Sequence, residues 1–467
     1  MSYISTRGEA PKLGFSDAFL AGLARDGGLY VPETMPAIGS EEICAMAGAP
    51  YARAAATLVA PFVDGELSEA ELGEMASEAY AGFRHPAKAP LAQIGDNLFV
   101  LELFHGPTLA FKDFAMQWLG RLMNHVLRKR GRRATIVGAT SGDTGAAAIE
   151  AFGGLSQTDV FIMYPHGRVS DVQRRQMTTV DKPNVHAIAI EGNFDDCQAI
   201  LKSLFNDLAF RDALSLSGVN SINWARIAAQ IVYYFTSAVA LGAPMRRVSF
   251  TVPTGNFGDI FAGYCAKRIG LSVERLVIAT NENDILARAL ESGVYRKRAV
   301  VSTQSPSMDI QVSSNFERLL FEAYRRDAAA VRGLMASLAQ SGEFSIAPEP
   351  LRFIRDAFDA FSTDEAGCAR EMARVHDESG YVIDPHTAVA VSAARRALAR
   401  DRATPMIVLS TAHPAKFPDA VERAIHLRPP LPAHLGDLMS RKERFTILPN
   451  DRGAVARFVR EHARAGR

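Results

Sequence analysis

Short apolar runs alternate with longer amphipathic stretches through most of the chain. Residues 97–103, 134–139, 160–164, 185–190, 248–252, 276–280 and 406–409 read as buried strands. Residues 195–208 and 227–241 carry helical spacing, and a small-residue helix begins near Asp143. Strand followed by helix, repeatedly, predicts an α/β fold with mostly parallel sheets flanked by helices. Residues 17–23 and 68–83 are helical in pattern, with Ser68 and Glu71 spaced as a capping box. The pattern therefore divides the chain into a mainly helical N-terminal region over 1–95, a smaller α/β domain over 96–245 and a larger one over 246–467.

One helix carries a misplaced charge. Gly106 and Pro107 mark a turn and Thr108 reads as an N-cap, so the helix is expected from Leu109. On a wheel, Phe111, Ala115, Trp118, Leu119, Leu122, Met123 and Val126 share a side. Asp113, Gln117, Arg121, Asn124 and Arg128 share the other. Lys112 falls in the apolar sector. Either its stem snorkels to water, or it is a desolvated, nucleophilic lysine of the kind that forms Schiff bases.

Composition narrows the function classes. The formal net charge of +1 gives no basic excess for nucleic acid, and no apolar run reaches membrane-span length. Cys44, Cys197, Cys265 and Cys368 are scattered, with no CxxC pair, and read as small buried residues rather than disulfides or metal ligands. No metal, nucleic-acid or membrane partner is expected, and the N-terminus lacks a signal-peptide core, so the expected location is cytoplasmic.

Ligands of open α/β sheets gather beyond the carboxyl ends of strands. Gly255, Asn256, Phe257, Gly258 and Asp259 follow one such strand. The glycines let backbone N–H groups approach an anion, and the next helix adds its positive end, which suits a phosphate. A tight turn capped by Asp259 has the same residues, and the loop is neither a Walker A nor a G-x-G-x-x-G sequence. Ser141, Gly142, Asp143 and Thr144 open a helix with hydroxyls and backbone donors, suited to a carboxylate or to plain capping. Thr411 offers a hydroxyl to a ring nitrogen, or belongs to a simple loop. Arg226, beside Asn223 and Trp224, offers a second anion contact. Taken together, the inward lysine, phosphate loop, carboxylate-type helix start and late hydroxyl describe a pyridoxal 5'-phosphate enzyme acting on an amino acid.

Over 3–8, 105–117, 139–145, 164–177, 220–226, 253–259 and 411–417 the chain resembles the threonine synthase family. That family belongs to the pyridoxal-phosphate group containing the tryptophan synthase β subunit and the serine/threonine dehydratases. The resemblance implies the tryptophan synthase β-like fold, with Lys112 as Schiff-base lysine and proton shuttle. It implies that Gly255, Asn256, Phe257, Gly258 and Asp259 bind the cofactor phosphate and that Thr411 lies near the pyridine nitrogen. Ser141, Gly142, Asp143 and Thr144 would surround the substrate carboxylate or the cofactor's 3'-oxygen. Asn223, Arg226 and Arg168 would lie near the substrate phosphate. The implied reaction turns O-phospho-L-homoserine and water into L-threonine and phosphate, in a monomer or homodimer. Rival readings are a related phospholyase releasing 2-oxobutyrate and a non-catalytic pyridoxal-phosphate or amino-acid binding protein.

Overall fold

The computed structural model describes residues 1–218 and 220–466. A six-stranded sheet runs in the order Phe358–Ser362, Val273–Thr280, Val248–Pro253, Met406–Ser410, Leu98–Glu102 and Leu91–Gly95. Its neighbours are parallel except for the last pair. A five-stranded parallel sheet runs Thr446–Pro449, Val185–Glu191, Thr158–Pro165, Ala134–Ala139 and Leu216–Ser217.

Alternate residues along the central strands feed opposite cores, which is why these strands read as continuous apolar runs. Leu276 and Ile278 pack on the side of helices Trp224–Ala240 and Gly258–Arg268. Val277 and Ala279 pack on the side of helix Pro385–Leu398. In the smaller sheet Val160 and Ile162 join the first core, while Phe161 and Met163 pack with helix Arg452–His462. The N-terminal region holds the expected helices, and the capping box forms, with Ser68 Oγ accepting from Glu71 N at 3.2 Å. Among the described residues no helix is long and apolar enough to cross a membrane. Three cysteines are buried as expected, but Cys44 is exposed.

Two expectations need correction. The boundary at 245 does not separate the sheets. Leu98–Glu102 belongs to the six-stranded sheet, although it lies within 96–245, and Thr446–Pro449 belongs to the five-stranded one. Parallel neighbours arrive by crossover, so order along the chain does not give sheet membership. The second correction concerns the lysine helix, which spans Lys112–Lys129 rather than starting at Leu109, whose φ is +60°. Thr108 does not cap it. Thr108 N and Oγ1 instead donate to the Asp113 carboxylate at 2.8 and 2.6 Å. The loop thus folds over the first turn and covers Asp113; Gln117, which the wheel had also placed on its polar side, is buried as well, with Oε1 accepting from Arg121 at 2.6 Å.

Candidate active site

Three adjacent parallel strands end level with one another. Ser410 pairs with Glu102, and Val408 with both Val100 and Thr251. Their carboxyl ends release the lysine loop, the Thr411 loop and the glycine loop side by side. The first two then join. Thr411 O accepts from Phe111 N at 2.9 Å, Leu109 O accepts from His413 N at 3.0 Å, and Ala110 bridges Ala412. Gly106 allows the turn, since a Cβ there would lie 2.5 Å from Asp113.

Lys112 opens its helix and is 8% exposed, so burial rather than snorkelling describes it. Nζ lies 3.4 Å from Asp143 Oδ2 and 3.5 Å from Ser307 Oγ. Burial pulls the Lys112 pKa below the ordinary lysine value, with Asp143 opposing. Asp143 opens helix Asp143–Phe152 across the cleft. Its other oxygen accepts from Lys416 Nζ at 2.8 Å and Gln173 Nε2 at 2.9 Å. Burial alone would raise Asp143, but the ammonium of Lys416, and after it Lys112 when protonated, hold it well below the usual carboxylate range. Thr140 Oγ1 ties the preceding turn, accepting from Gly142 N and Gly145 N at 2.9 Å. Among the described residues the N–H groups of Ser141, Asp143 and Thr144 have no protein acceptor.

The glycine loop makes a second cradle. Phe257 adopts a left-handed φ of +64° and helix Gly258–Arg268 follows. Among the described residues the N–H groups of Gly255, Asn256, Phe257 and Gly258 donate to no protein acceptor. Ser307 lies against this loop, its carbonyl 2.7 Å from where a Gly255 Cβ would be. The Ser307 backbone is itself held, since its N–H donates to His386 Nε2 at 3.3 Å and His386 Nδ1 pairs with Asp384 at 2.6 Å.

The remaining sequence-predicted residues fall unevenly. Thr411 is buried beside the lysine loop, with no side-chain partner among the described residues. The Asp259 side chain turns away from the cradle, accepting from the Tyr233 and Tyr234 hydroxyls. Burial raises its pKa to about 6. Arg226 is buried within electrostatic reach of Lys112 and Asp259, and burial lowers its pKa to about 10. The Asn223 side chain is already engaged. It donates to Phe19 O at 2.8 Å and accepts from Ala225 N at 3.0 Å, capping helix Trp224–Ala240. Arg168 is exposed on the turn after Thr158–Pro165. Sequence reasoning missed Ser307, Gln173, His386 and the role of Lys416. Lys416 and Gln173 left a signal, as polar residues inside matched segments, whereas Ser307 and His386 lay outside them.

Three family models tile the chain. "Threonine synthase N terminus" matches residues 2–80, "Pyridoxal-phosphate dependent enzyme" 84–411, and "Threonine synthase, C-terminal" 387–459. The threonine synthase of Pseudomonas aeruginosa is 54% identical over 468 residues, covering 100% of both chains. The chain belongs to the threonine synthase family. Among solved structures of that family, the PLP-bound threonine synthase of Brucella melitensis is 62% identical, with a TM-score of 0.97 and 100% coverage of both chains. The yeast threonine synthase is 38% identical, with a TM-score of 0.94, covering 99% of this chain and 98% of that one. The residues present fit the pyridoxal phosphate of this family. An open N–H cradle at a helix start suits its phosphate, a buried amine suits its aldehyde, and an unengaged buried hydroxyl suits its ring nitrogen.

Proposed function

We propose that this chain converts O-phospho-L-homoserine and water into L-threonine and phosphate, with pyridoxal phosphate attached at Lys112. One observation carries the reading. Ser307 touches both halves of the site, with Oγ 3.5 Å from Lys112 Nζ and its carbonyl against Gly255. A buried amine and an empty-handed N–H cradle therefore face one space.

When bound, pyridoxal phosphate supplies the sink for the electron pair left at the substrate's α-carbon. The N–H groups of Gly255 to Gly258 hold its phosphate. Asp259 contributes there through its backbone, because its carboxylate is turned to Tyr233 and Tyr234. Thr411 faces the ring nitrogen with a hydroxyl, which does not hold a proton on that nitrogen as a carboxylate would. Lys112 Nζ takes the α-proton and later returns a proton at the γ-carbon. Its burial lowers the cost of carrying the uncharged, basic form. The substrate carboxylate fits the open N–H groups of Ser141, Asp143 and Thr144 and the hydroxyls of Ser141 and Thr144, with the Gly142 N–H already given to Thr140 Oγ1 and Gly142 serving the turn. The Asp143 carboxylate repels it and instead faces Lys112. Arg226 is the cation best placed for the substrate phosphate, whereas Asn223 is occupied and Arg168 lies outside. Small-molecule chemistry of this kind needs no nucleic-acid or membrane contact, and it is compatible with a monomer or homodimer in the cytoplasm.

A product assay tests this. Purified protein given O-phospho-L-homoserine releases phosphate and L-threonine in equal amounts. Phosphate accompanied by 2-oxobutyrate would replace the reading with the phospholyase one, and no turnover would overturn both.

A further inference from the structure

Lys416 is a second buried lysine of the site, and no step above uses it. It closes the short turn Pro414–Lys416 and is 0% exposed. Its Nζ donates to Thr108 O at 2.8 Å and reaches Asp143 Oδ1 at 2.8 Å. Gln173 Nε2 binds that same oxygen at 2.9 Å. Lys112 reaches only Oδ2, at 3.4 Å, and shares it with Ser307 Oγ at 3.4 Å. The two carboxylate oxygens are thus divided, one closely held by Lys416 and Gln173, the other loosely approached by Lys112. A buried carboxylate needs one close cation, and here Lys416 is that cation.

The other charges around Lys112 do not change this assignment. Arg226, from helix Trp224–Ala240, is a further cation within electrostatic reach and disfavours an ammonium. Asp259, from helix Gly258–Arg268, is turned to Tyr233 and Tyr234. Asp113, next along the lysine helix, is turned to Thr108. Ser307 is uncharged, and its neighbour His386 is paired with Asp384. An ammonium at Lys112 would be an additional buried cation whose nearest anion is already matched.

We propose that Lys416 is a positioning residue that claims Asp143 and thereby leaves Lys112 as the uncharged amine that captures the cofactor aldehyde. This rests on the reading that pyridoxal phosphate attaches at Lys112. Only the uncharged amine reacts. Its lone pair forms the bond to the aldehyde carbon, and both amine hydrogens leave with the aldehyde oxygen as one water. Without Lys416, Asp143 would turn to Lys112 and hold it as an ammonium, which must first lose a proton.

The test follows capture, not turnover. Full-length protein freed of cofactor is mixed with pyridoxal phosphate across a pH series, and the absorbance of the lysine adduct is timed. Lys416→Met should raise the midpoint of the rate–pH profile by about one unit or more, slowing capture about tenfold below the midpoint. Lys416→Arg keeps the cation and should hold the wild-type midpoint. Asp143→Asn combined with Lys416→Met removes anion and cation together and should return the midpoint to the wild-type value. An unshifted midpoint in Lys416→Met overturns the proposal, as does an equal shift in the double variant, which would make Lys416 a packing residue. If Lys416→Met does not fold, Asp143→Asn alone decides. Loss of the anion must lower the midpoint, and an unchanged midpoint overturns the proposal. Peptide mapping after borohydride reduction separates the two readings. Cofactor on another lysine overturns both, whereas shifted capture on Lys112 with no threonine formed overturns the reaction alone.

Discussion

Phe111 N–H donates to Thr411 O at 2.9 Å, one residue before Lys112. The hydrogen bond fixes the lysine from outside its own helix. The loop proposed to offer a hydroxyl to the ring nitrogen also sets where the amine begins. Thr411 thereby holds the lysine loop through its backbone, and its substitution by another small residue leaves the lysine in register.

Lys112→Ala should leave no cofactor that borohydride can fix to the chain. Turnover should fall at least about a thousandfold, roughly 4 kcal/mol of barrier. The fold should survive, because Asp143 keeps Lys416 and Gln173. Peptide mapping, turnover and a thermal melt check the three parts. Near-normal turnover would refute the role of Lys112.

Gly255→Ala should weaken the cofactor site. The added methyl would lie 2.7 Å from Ser307 O and 3.3 Å from Met308 Cα, both backbone atoms that side-chain rotation cannot move. A stability loss of about 1–3 kcal/mol is expected from such overpacking. Cofactor affinity, read by fluorescence titration, should drop roughly tenfold, equivalent to about 1.4 kcal/mol. Wild-type affinity would show that Ser307 and the glycine loop move apart freely.

Asn223→Ala should cost stability rather than substrate affinity. It removes a helix cap, worth about 1 kcal/mol, and leaves Phe19 O without its donor. The urea midpoint should fall while KM for the phosphorylated substrate stays put. A large rise in KM at unchanged stability would restore the substrate contact that the sequence suggested.

Asp259→Asn should flatten the pH dependence of stability. In the folded chain burial raises this carboxyl to about 6, against an unfolded value near 3.9. The folded state therefore holds more protons across that interval. Its contribution to stability is fully present below the interval and is lost as pH rises through it, on the order of 3 kcal/mol in all. Asparagine keeps an acceptor for the two tyrosine hydroxyls but does not titrate. Urea midpoints measured across the interval should slope less in the variant, and identical slopes would remove Asp259 as the cause.

The sequence disclosed what repetition along the chain encodes. Val248–Pro253 and Met406–Ser410 were visible as apolar runs because both faces of their sheet are covered. Lys112 stood out because a charge broke a helical stripe. What stayed hidden depends on contacts between distant segments. Nothing local to Leu98–Glu102 says that it pairs with Met406–Ser410. Thr108 has the residue type of a cap, yet its hydroxyl finds Asp113. Ser307 lies in a loop without period, and its importance comes from Lys112, Gly255 and His386 meeting around it. Asp259 was legible as part of the glycine loop, but not the direction of its carboxylate.

The pairing of Leu98–Glu102 with Met406–Ser410 also orders events during synthesis. Lys112 and the glycine loop leave the ribosome well before the segment that secures them. Until Met406–Ser410 arrives, one edge of Leu98–Glu102 stands open, and neither the Thr411 carbonyl nor the Lys416 ammonium is in place. A nascent or truncated chain carries Lys112 without the Thr411 and Lys416 contacts that surround it in the folded chain. On the reading that Lys112 carries the cofactor, the surroundings it needs exist only in a chain that extends through Lys416.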